Sequence, residues 1–312
     1  MKIIFFGSDD FAAVHLQELL QSRDHKVVAC VTQPDKAKGR GLQVVASPIK
    51  ELAVKAKIPV FQPTDLKTAS FIKQMKDLNC DLFIVIAYGR ILPLELLQVP
   101  YVCAMNVHGS LLPKYRGAAP VNWAVINGDG ETGVSIIKMN AQMDAGDVFV
   151  QAKMPIENDD TAATVRAKMA ELGKKTLLKT IDSLEKNTYT LTVQDRNAVS
   201  LAPKLTKELG KIDWQKPAAA IRNLVRGLIP WPAAYTSYKG KPLKILETDV
   251  VKIDLNGKKP GEVIEVKKDS LVVAAGDGAL ALKQVQPESG KAMDARSFIA
   301  GHKITVGFQF DK

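Results

Sequence analysis

The sequence is poor in the residues that build disulfide frameworks and metal sites. It contains three cysteines and four histidines in 312 residues. Three cysteines cannot all pair, and each lies in an apolar run, so we expect buried, reduced thiols at Cys30, Cys80 and Cys103. The histidines, at positions 15, 25, 108 and 302, are too scattered to indicate a metal centre. The sequence therefore predicts neither a disulfide-linked nor a metal-dependent protein.

Long hydrophobic runs and glycine-rich phosphate loops are also missing. The first apolar run, Ile3–Phe6, ends after four residues and is too short for a secretion signal or a membrane span, which predicts a cytoplasmic protein. The first strand–turn–helix carries only Gly7, without the spaced glycines of a dinucleotide site. Neither a Walker-type loop nor a glycine-flanked serine elbow is visible. These patterns disfavour nucleotide-dependent and serine-nucleophile enzymes.

Positive charge is present in excess and is unevenly placed. The formal net charge is +10, and residues 201–312 hold 19 Lys and Arg against 12 Asp and Glu. A basic last third indicates a polyanionic partner such as RNA. Ordinary solvating lysines would give the same composition, and charge alone does not separate the two interpretations.

Hydrophobic periodicity divides the chain into two parts. Over residues 1–190, short β-rich runs alternate with helical spacing, which predicts one α/β domain with a mostly parallel sheet. Residues 191–207 have the composition of a linker. Residues 208–312 contain short β-prone runs separated by turns and predict an OB-like β-barrel. The predicted runs are Tyr235–Tyr238, Leu243–Val251, Gly261–Val266, Leu271–Ala275, Ala279–Val285 and Ile304–Phe308.

A polar segment over residues 33–47 is long for a connection between a strand and a helix. It carries Lys36, Lys38 and Arg40, and Gly39 and Gly41 frame the arginine. Three cations on a loop near the carboxyl edge of a sheet suit the phosphates of an RNA. A merely solvated charged loop is the alternative.

Two polar turns follow predicted strands and carry the candidate chemistry. Asn106 and His108 are two residues apart in an extended run, so their side chains project to the same side. An amide and an imidazole together can stabilise an oxyanion and move a proton, as acyl transfer to an amine requires. Asp144 lies in a second turn, and a carboxylate beside His108 would hold the imidazole's orientation. Taken singly, each motif also fits ordinary strand-end and turn chemistry.

An extended match gives these residues a family resemblance. The segment from Asn106 to Val148 resembles the signature of formyltransferases that use 10-formyltetrahydrofolate, and it includes Asn-Val-His-Gly-Ser-Leu-Leu-Pro, Tyr-Arg-Gly-Ala-Ala-Pro and Met-Asp-Ala-Gly-Asp. The resemblance implies an N-terminal Rossmann-like formyltransferase domain with a catalytic trio of Asn106, His108 and Asp144. It implies a folate pocket lined by four consecutive residues, Ser110, Leu111, Leu112 and Pro113.

End-to-end similarity narrows the expected acceptor. The whole chain resembles the branch of the family that acts on methionine carried by initiator tRNA, with the loop of Lys36, Lys38 and Arg40 at the tRNA end and the C-terminal barrel on the tRNA body. In this interpretation 10-formyltetrahydrofolate is a cosubstrate, no metal takes part and a monomer suffices.

Four alternatives remain open at this level. Sister enzymes formylate glycinamide ribonucleotide or a nucleotide-linked amino sugar with the same trio. A hydrolase of formyltetrahydrofolate would use water in place of the amine. A catalytically silent RNA-binding protein would need only the charge and the barrel. The basic C-terminal third argues against the first three, and the intact trio argues against the fourth.

Overall fold

The structure is a computed structural model that describes residues 1–38 and 43–310. The chain forms two compact units. The first unit comprises residues 1–120, 131–155 and 166–202. The second unit comprises residues 121–130, 156–165 and 203–312. Within the described residues, no helix is long and apolar enough to cross a membrane.

Up to residue 202 the chain alternates between strands and helices, as the periodicity predicts. The strands are β1 (Lys2–Gly7), β2 (Lys26–Val31), β3 (Lys36–Lys38), β4 (Gln43–Val45), β5 (Val60–Phe61), β6 (Leu82–Ile86), β7 (Cys103–His108), β8 (Arg116–Gly117), β9 (Glu131–Lys138), β10 (Val148–Pro155) and β11 (Leu201–Ala202). The helices are α1 (Asp10–Gln21), α2 (Pro48–Lys55), α3 (Ala69–Asp77), α4 (Leu94–Leu97), α5 (Pro120–Ile126) and α6 (Ala162–Glu185).

The sheet of the first unit is parallel at one side and antiparallel at the other. Its strand order is β10-β9-β7-β6-β1-β2-β5. The pairs β5–β2, β2–β1, β1–β6 and β6–β7 are parallel, whereas β7–β9 and β9–β10 are antiparallel. All five residues of β6 are buried, as expected for a strand covered on both faces. The predicted, mostly parallel α/β sheet is confirmed.

Side-chain caps mark the start of two helices. The Asp9 side chain accepts a hydrogen bond from the Ala12 N–H at the start of α1. Ser47 caps α2 in the same way, and Pro48 occupies the first helical position. Burial of all three cysteines confirms the expected free thiols and raises their pKa values, to about 12 for Cys30 and Cys80 and about 11 for Cys103.

The second unit contains an antiparallel sheet, which confirms the β-rich fold predicted for the last third of the chain. Its elements are α7 (Ala218–Gly227), β12 (Ala234–Tyr238), β13 (Lys241–Val251), β14 (Val263–Val266), β15 (Leu271–Ala274), β16 (Ala279–Pro287), β17 (Met293–Asp294) and α8 (Ala295–His302). The strand order is β12-β13-β16-β15-β14, and β17 pairs with β16. Apolar side chains from α7, α8 and the strands form one core.

The two ends of this sheet are compatible with an OB-like barrel. Lys211 bridges to Tyr235 of β12, and Gln309 bridges to Glu262 beside β14. A cavity of about 1020 Å³ lies between these flanking segments. Trp214 and Phe310 stack beside it, with ring centroids 5.9 Å apart. The ring contact joins the segments that carry Trp214 and Phe310, between which no backbone pairing is found within the described residues.

One predicted strand is wrong. The sequence favours a strand over Ile304–Phe308, but the chain there forms a turn. The left-handed conformations of Lys303, with φ +47°, and Gly307, with φ +87°, are incompatible with an extended run. The preceding helix α8, which the periodicity does not predict, ends at this turn.

Candidate active site

Strand β7 presents an amide and an imidazole on the same face. It lies between β6, which is parallel to it, and β9, which is antiparallel. Asn106 pairs with Ile137, and His108 pairs with Ser135. Because side chains alternate along a strand, Asn106 and His108 point to one side, as their spacing predicts. His108 is only 5% exposed, so β7 holds its ring inside the first unit.

The turn between β9 and β10 brings a carboxylate to both side chains. Asn106 Nδ2 donates to Asp144 Oδ1 at 3.3 Å, and His108 Nδ1 lies 3.6 Å from the same oxygen. The Gly117 N–H donates to the other oxygen, Oδ2, at 2.9 Å. The structure therefore brings together all three side chains that the sequence analysis selects as a catalytic trio.

A second contact fixes the imidazole. His108 Nε2 lies 2.9 Å from the backbone oxygen of Tyr115. A carbonyl oxygen can only accept, so Nε2 carries the hydrogen of this bond and Nδ1 faces the carboxylate. The Nε2 bond to Tyr115 orients the ring and leaves Nδ1 facing the Asp144 carboxylate at 3.6 Å.

Close backbone approaches set the position of the carboxylate. Asp144 has φ +51°, a left-handed conformation that costs a non-glycine residue about 1–2 kcal/mol. Gly146 follows, and a Cβ there would lie 1.7 Å from the Lys138 carbonyl oxygen. At Gly117, with φ +124°, a Cβ would lie 2.7 Å from the Ala202 carbonyl oxygen. Only glycine permits the turn and the neighbouring loop to pack this tightly.

The predicted folate-lining residues form the loop directly after β7. Ser110 is fully buried, and its hydroxyl donates to the Lys114 carbonyl at 2.6 Å. Leu112 is buried with Ile137 and Val148, whereas Leu111 and Pro113 are partly exposed. Ser110 therefore shapes the loop with its hydroxyl, and the apolar side chains supply the surface. Their role in folate binding stays a prediction.

Two of the three predicted RNA-binding cations lie on a short hairpin. Lys36 and Lys38 belong to β3, which pairs with β4, where the sequence predicts only a loop. Arg40, together with Gly39 and Gly41, lies outside the described residues. Two contacts anchor the hairpin's base at Asp35, which accepts from Lys50 Nζ at 2.5 Å and from Gln62 Nε2 at 2.7 Å. These bonds hold the pKa of the Asp35 carboxyl below its usual value.

Sequence analysis missed the polar groups that hold the site together. Ser135, fully buried in β9, accepts from the Leu112 N–H and donates to the Ser110 carbonyl. Gln194, in the segment predicted to be a linker, donates to the backbone oxygens of Asp144 and Gly146. A serine within the apolar run of β9 was a readable signal, but nothing local marks Gln194.

The described residues contain no group of three or more His, Cys, Asp or Glu side chains placed to hold a metal ion. The polar groups that face the Asp144 carboxylate are the Asn106 amide, the His108 imidazole and the Gly117 N–H. Such a set can donate hydrogen bonds to a developing oxyanion and transfer a proton, which are the requirements of acyl transfer.

Solved structures that resemble this chain share its fold. A sugar 3N-formyl transferase, WlaRD, matches with a TM-score of 0.66 at 20% identity and covers 90% of this chain and 97% of that one. HypX from Aquifex aeolicus, solved with tetrahydrofolic acid, also matches with a TM-score of 0.66 at 18% identity. This match covers 98% of the present chain, which spans about half the length of HypX.

Curated relatives match over the full length. A methionyl-tRNA formyltransferase from Acetivibrio thermocellus is 43% identical over 98% of both chains. Another from Caldanaerobacter subterraneus is 44% identical over 98% of this chain and 99% of the relative. The family model described as formyl transferase matches residues 1–181, and the model of its C-terminal domain matches residues 204–303. The resemblance found in the sequence is thereby confirmed, and the chain belongs to the formyl transferase family.

Proposed function

We propose that this enzyme transfers a formyl group from 10-formyltetrahydrofolate to the α-amino group of methionine on initiator tRNA, in the cytoplasm, for translation initiation. The observation that carries the chemistry is the convergence of Asn106, His108 and Asp144 on one point of the first unit. The acceptor is supported by the full-length similarity to relatives named methionyl-tRNA formyltransferase.

The amine must be deprotonated to attack. A free α-amine has an unperturbed pKa of about 7.7–8.0, so a base beside it raises the reactive fraction near neutral pH. His108 and Asp144 supply that base as a pair, since the ring and the carboxylate face each other at 3.6 Å. Proton movement within the pair then serves the departing folate nitrogen.

Attack on the formyl carbon creates an oxyanion. Asn106 Nδ2 has two hydrogens, of which Asp144 accepts one, so the other can point at the oxyanion. Once Nδ1 of His108 has taken a proton, its N–H adds a second donor, since Nε2 already donates to the Tyr115 carbonyl. Each donor of this kind is typically worth about 10²–10³ in rate. The C–N bond to the folate nitrogen then breaks, and that nitrogen takes the proton that the amine released.

The loop after β7 suits the folate cosubstrate. Leu112, Ile137 and Val148 form an apolar cluster directly beside the trio, and Leu111 and Pro113 are partly exposed next to it. Apolar walls with a few fixed polar groups are typical of sites for flat heterocycles. In our proposal Ser110, Leu111, Leu112 and Pro113 line this pocket, and the activated formyl group makes a metal unnecessary.

The proposed contacts with tRNA rest on positively charged residues. Lys36, Lys38 and Arg40 contact phosphates near the acceptor end, and residues 208–312, which lie in the basic last third of the sequence, contact the tRNA body. Functionally, we assign residues 1–190 to catalysis, 191–207 to a linker and 208–312 to tRNA binding. The two family matches, at 1–181 and 204–303, support this division. A monomer contains every group that the proposal uses.

One assay tests the proposal. Purified protein is incubated with labelled 10-formyltetrahydrofolate and with either methionine-charged initiator tRNA or a nucleotide-linked amino sugar. We expect formyl transfer to the charged tRNA alone. Transfer to the sugar, or release of formate without an acceptor, would replace the proposal with one of the sister activities.

A further inference from the structure

The segment predicted to be a linker is built into the candidate active site. Thr192 and Val148 exchange two backbone hydrogen bonds, of 2.8 and 2.9 Å, at the end of the Asp144 turn. Further along, Ser200 accepts from the Arg116 N–H at 2.9 Å. The segment therefore joins the two loops that meet at Asp144.

Gln194 is the side chain at the centre of this connection. It is 7% exposed. Its Nε2 donates to the Asp144 carbonyl at 2.9 Å and to the Gly146 carbonyl at 2.7 Å. Its Oε1 accepts from Arg116 Nε at 3.1 Å and Nη2 at 2.7 Å. Because guanidinium groups only donate and carbonyl oxygens only accept, the amide has a single orientation that satisfies all four bonds.

These bonds act on a strained residue. Asp144 adopts a left-handed conformation, which persists in a non-glycine residue only when its surroundings fix it. Two donors from one buried amide, on Asp144 and on Gly146, provide that constraint. The oxygen of the same amide accepts hydrogen bonds from the Arg116 guanidinium, while the Asp144 carboxylate faces Asn106 and His108.

We propose that Gln194 is a positioning residue for formyl transfer. It holds the Asp144 turn and Arg116 in fixed relation, and it acts on the reaction through the place of the Asp144 carboxylate. The inference rests on the proposed function. It assigns a catalytic purpose to a segment whose sequence has the composition of a linker.

Two substitutions separate the contributions of Gln194. Gln194→Glu keeps the side-chain length and an oxygen that accepts from Arg116. It replaces the Nε2 donor with a carboxylate oxygen, which faces the carbonyl oxygens of Asp144 and Gly146 and repels them. Gln194→Met keeps the volume and removes all four bonds. A displacement of about 1 Å can cost about 100-fold in rate, so we expect kcat with charged initiator tRNA to fall about 10–100-fold in both variants. KM for the folate and for the tRNA should change less than about 3-fold, because neither substrate loses a direct contact.

A double variant distinguishes positioning from general stabilisation. If Gln194 acts through Asp144, adding Gln194→Glu to Asp144→Ala lowers the remaining rate by less than about 2-fold, because coupled residues are not additive. Gln74→Glu, on the exposed face of α3, makes the same charge change as a control and should leave kcat unchanged.

Each other outcome contradicts the proposal in a distinct way. Wild-type kcat in a folded Gln194→Glu or Gln194→Met protein, or losses that multiply in the double variant, would show that Gln194 does not act through Asp144. Failure of both single variants to fold would make Gln194 structural. An inactive wild type in the same assay would overturn the proposed function as well, whereas an active wild type confines the failure to Gln194.

Discussion

The two units bury different chemistry. Among the described residues, the buried histidines, His15, His25 and His108, all lie in the first unit, and so does Gln194. The second unit has a core of aliphatic and aromatic side chains, and its buried polar side chains are Asp160, Thr236, Thr248 and Ser270. Polar groups inside a protein must be individually satisfied, whereas apolar ones need only pack. Precise placement of reactive groups is therefore concentrated in the first unit.

In the proposed function, the two units bind their substrates in different ways. The first unit places the Asn106 amide 3.3 Å and the His108 imidazole 3.6 Å from one oxygen of the Asp144 carboxylate, which suits chemistry on one carbon. The second unit has an apolar core, and its residues 203–312 hold 19 Lys and Arg against 12 Asp and Glu, an excess that suits a long-range attraction to phosphates. Substitutions of the catalytic trio should therefore lower kcat, whereas substitutions of the basic residues should raise KM for tRNA.

The largest effect is expected from the trio. His108→Ala and Asp144→Ala should each lower kcat at least about 100-fold, since each removes a proton carrier or its partner. Binding of folate and tRNA should persist, because the pocket loop and the cations remain. Rapid-quench turnover together with equilibrium binding measures both quantities. Near wild-type turnover in either variant would remove that residue from the trio.

Acid should destabilise the first unit before the second. Burial lowers the pKa of His15 to about 4, and its Nε2 has no partner among the described residues, with Gly173 packed against it. The unfolded chain, with a pKa near 6.5, then binds a proton that the folded state excludes. Titration of His15 therefore leaves the free energy of unfolding of the first unit unchanged above pH 6.5 and lowers it, by up to about 3 kcal/mol, as the pH drops to about 4.

Spectroscopy can separate the two units in this experiment. All three tryptophans, Trp123, Trp214 and Trp231, belong to the second unit, so their fluorescence follows that unit. Between pH 6.5 and 4, we expect the free energy of unfolding measured by far-UV circular dichroism to fall more than the value measured by fluorescence. His15→Leu should flatten this dependence. An equal loss with leucine in place would assign the acid sensitivity to another group.

A smaller effect is expected from the basic hairpin. Replacing Lys36, Lys38 and Arg40 with alanine should raise KM for charged tRNA and leave kcat nearly unchanged. Each lost phosphate contact removes about 0.7–0.9 from the slope of log affinity against log salt, so the slope should fall by about 2. Three exposed lysines near α3, Lys67, Lys73 and Lys76, provide a matched control. The same slope in both triple variants would place the hairpin away from the RNA.

The smallest effect is expected at the hairpin's base. Asp35→Asn removes the charge that pairs with Lys50 while keeping an oxygen for Gln62. Partly exposed ion pairs contribute modestly to stability, so KM for tRNA should rise only about 2–5-fold. The folate KM should not move. A change in the folate KM of similar size would show that Asp35 supports the active site and not the hairpin alone.

Local pattern was sufficient where neighbours in sequence decide the structure. The apolar run of β6 and the two-residue spacing of Asn106 and His108 are properties of the chain itself, and the fold reproduces both. The same reasoning failed at Ile304–Phe308, where a helix end and the left-handed Lys303 and Gly307 override β-propensity. The linker predicted over residues 191–207 rests on composition, which does not reveal that Gln194 contacts residues 50 and 78 positions away.

The sequence by itself determined the kind of chemistry: an amide and an imidazole on one strand face, a carboxylate in a turn and an excess of cations. These features depend on residue identity and on short spacings in the sequence, and along a strand the spacing sets the side on which each side chain projects. Only the tertiary structure decided that the carboxylate reaches the imidazole, and that the buried amide of Gln194 connects the Asp144 turn to Arg116. Such contacts join residues that are distant in the chain, and only the packing of the sheet and loops brings these residues together.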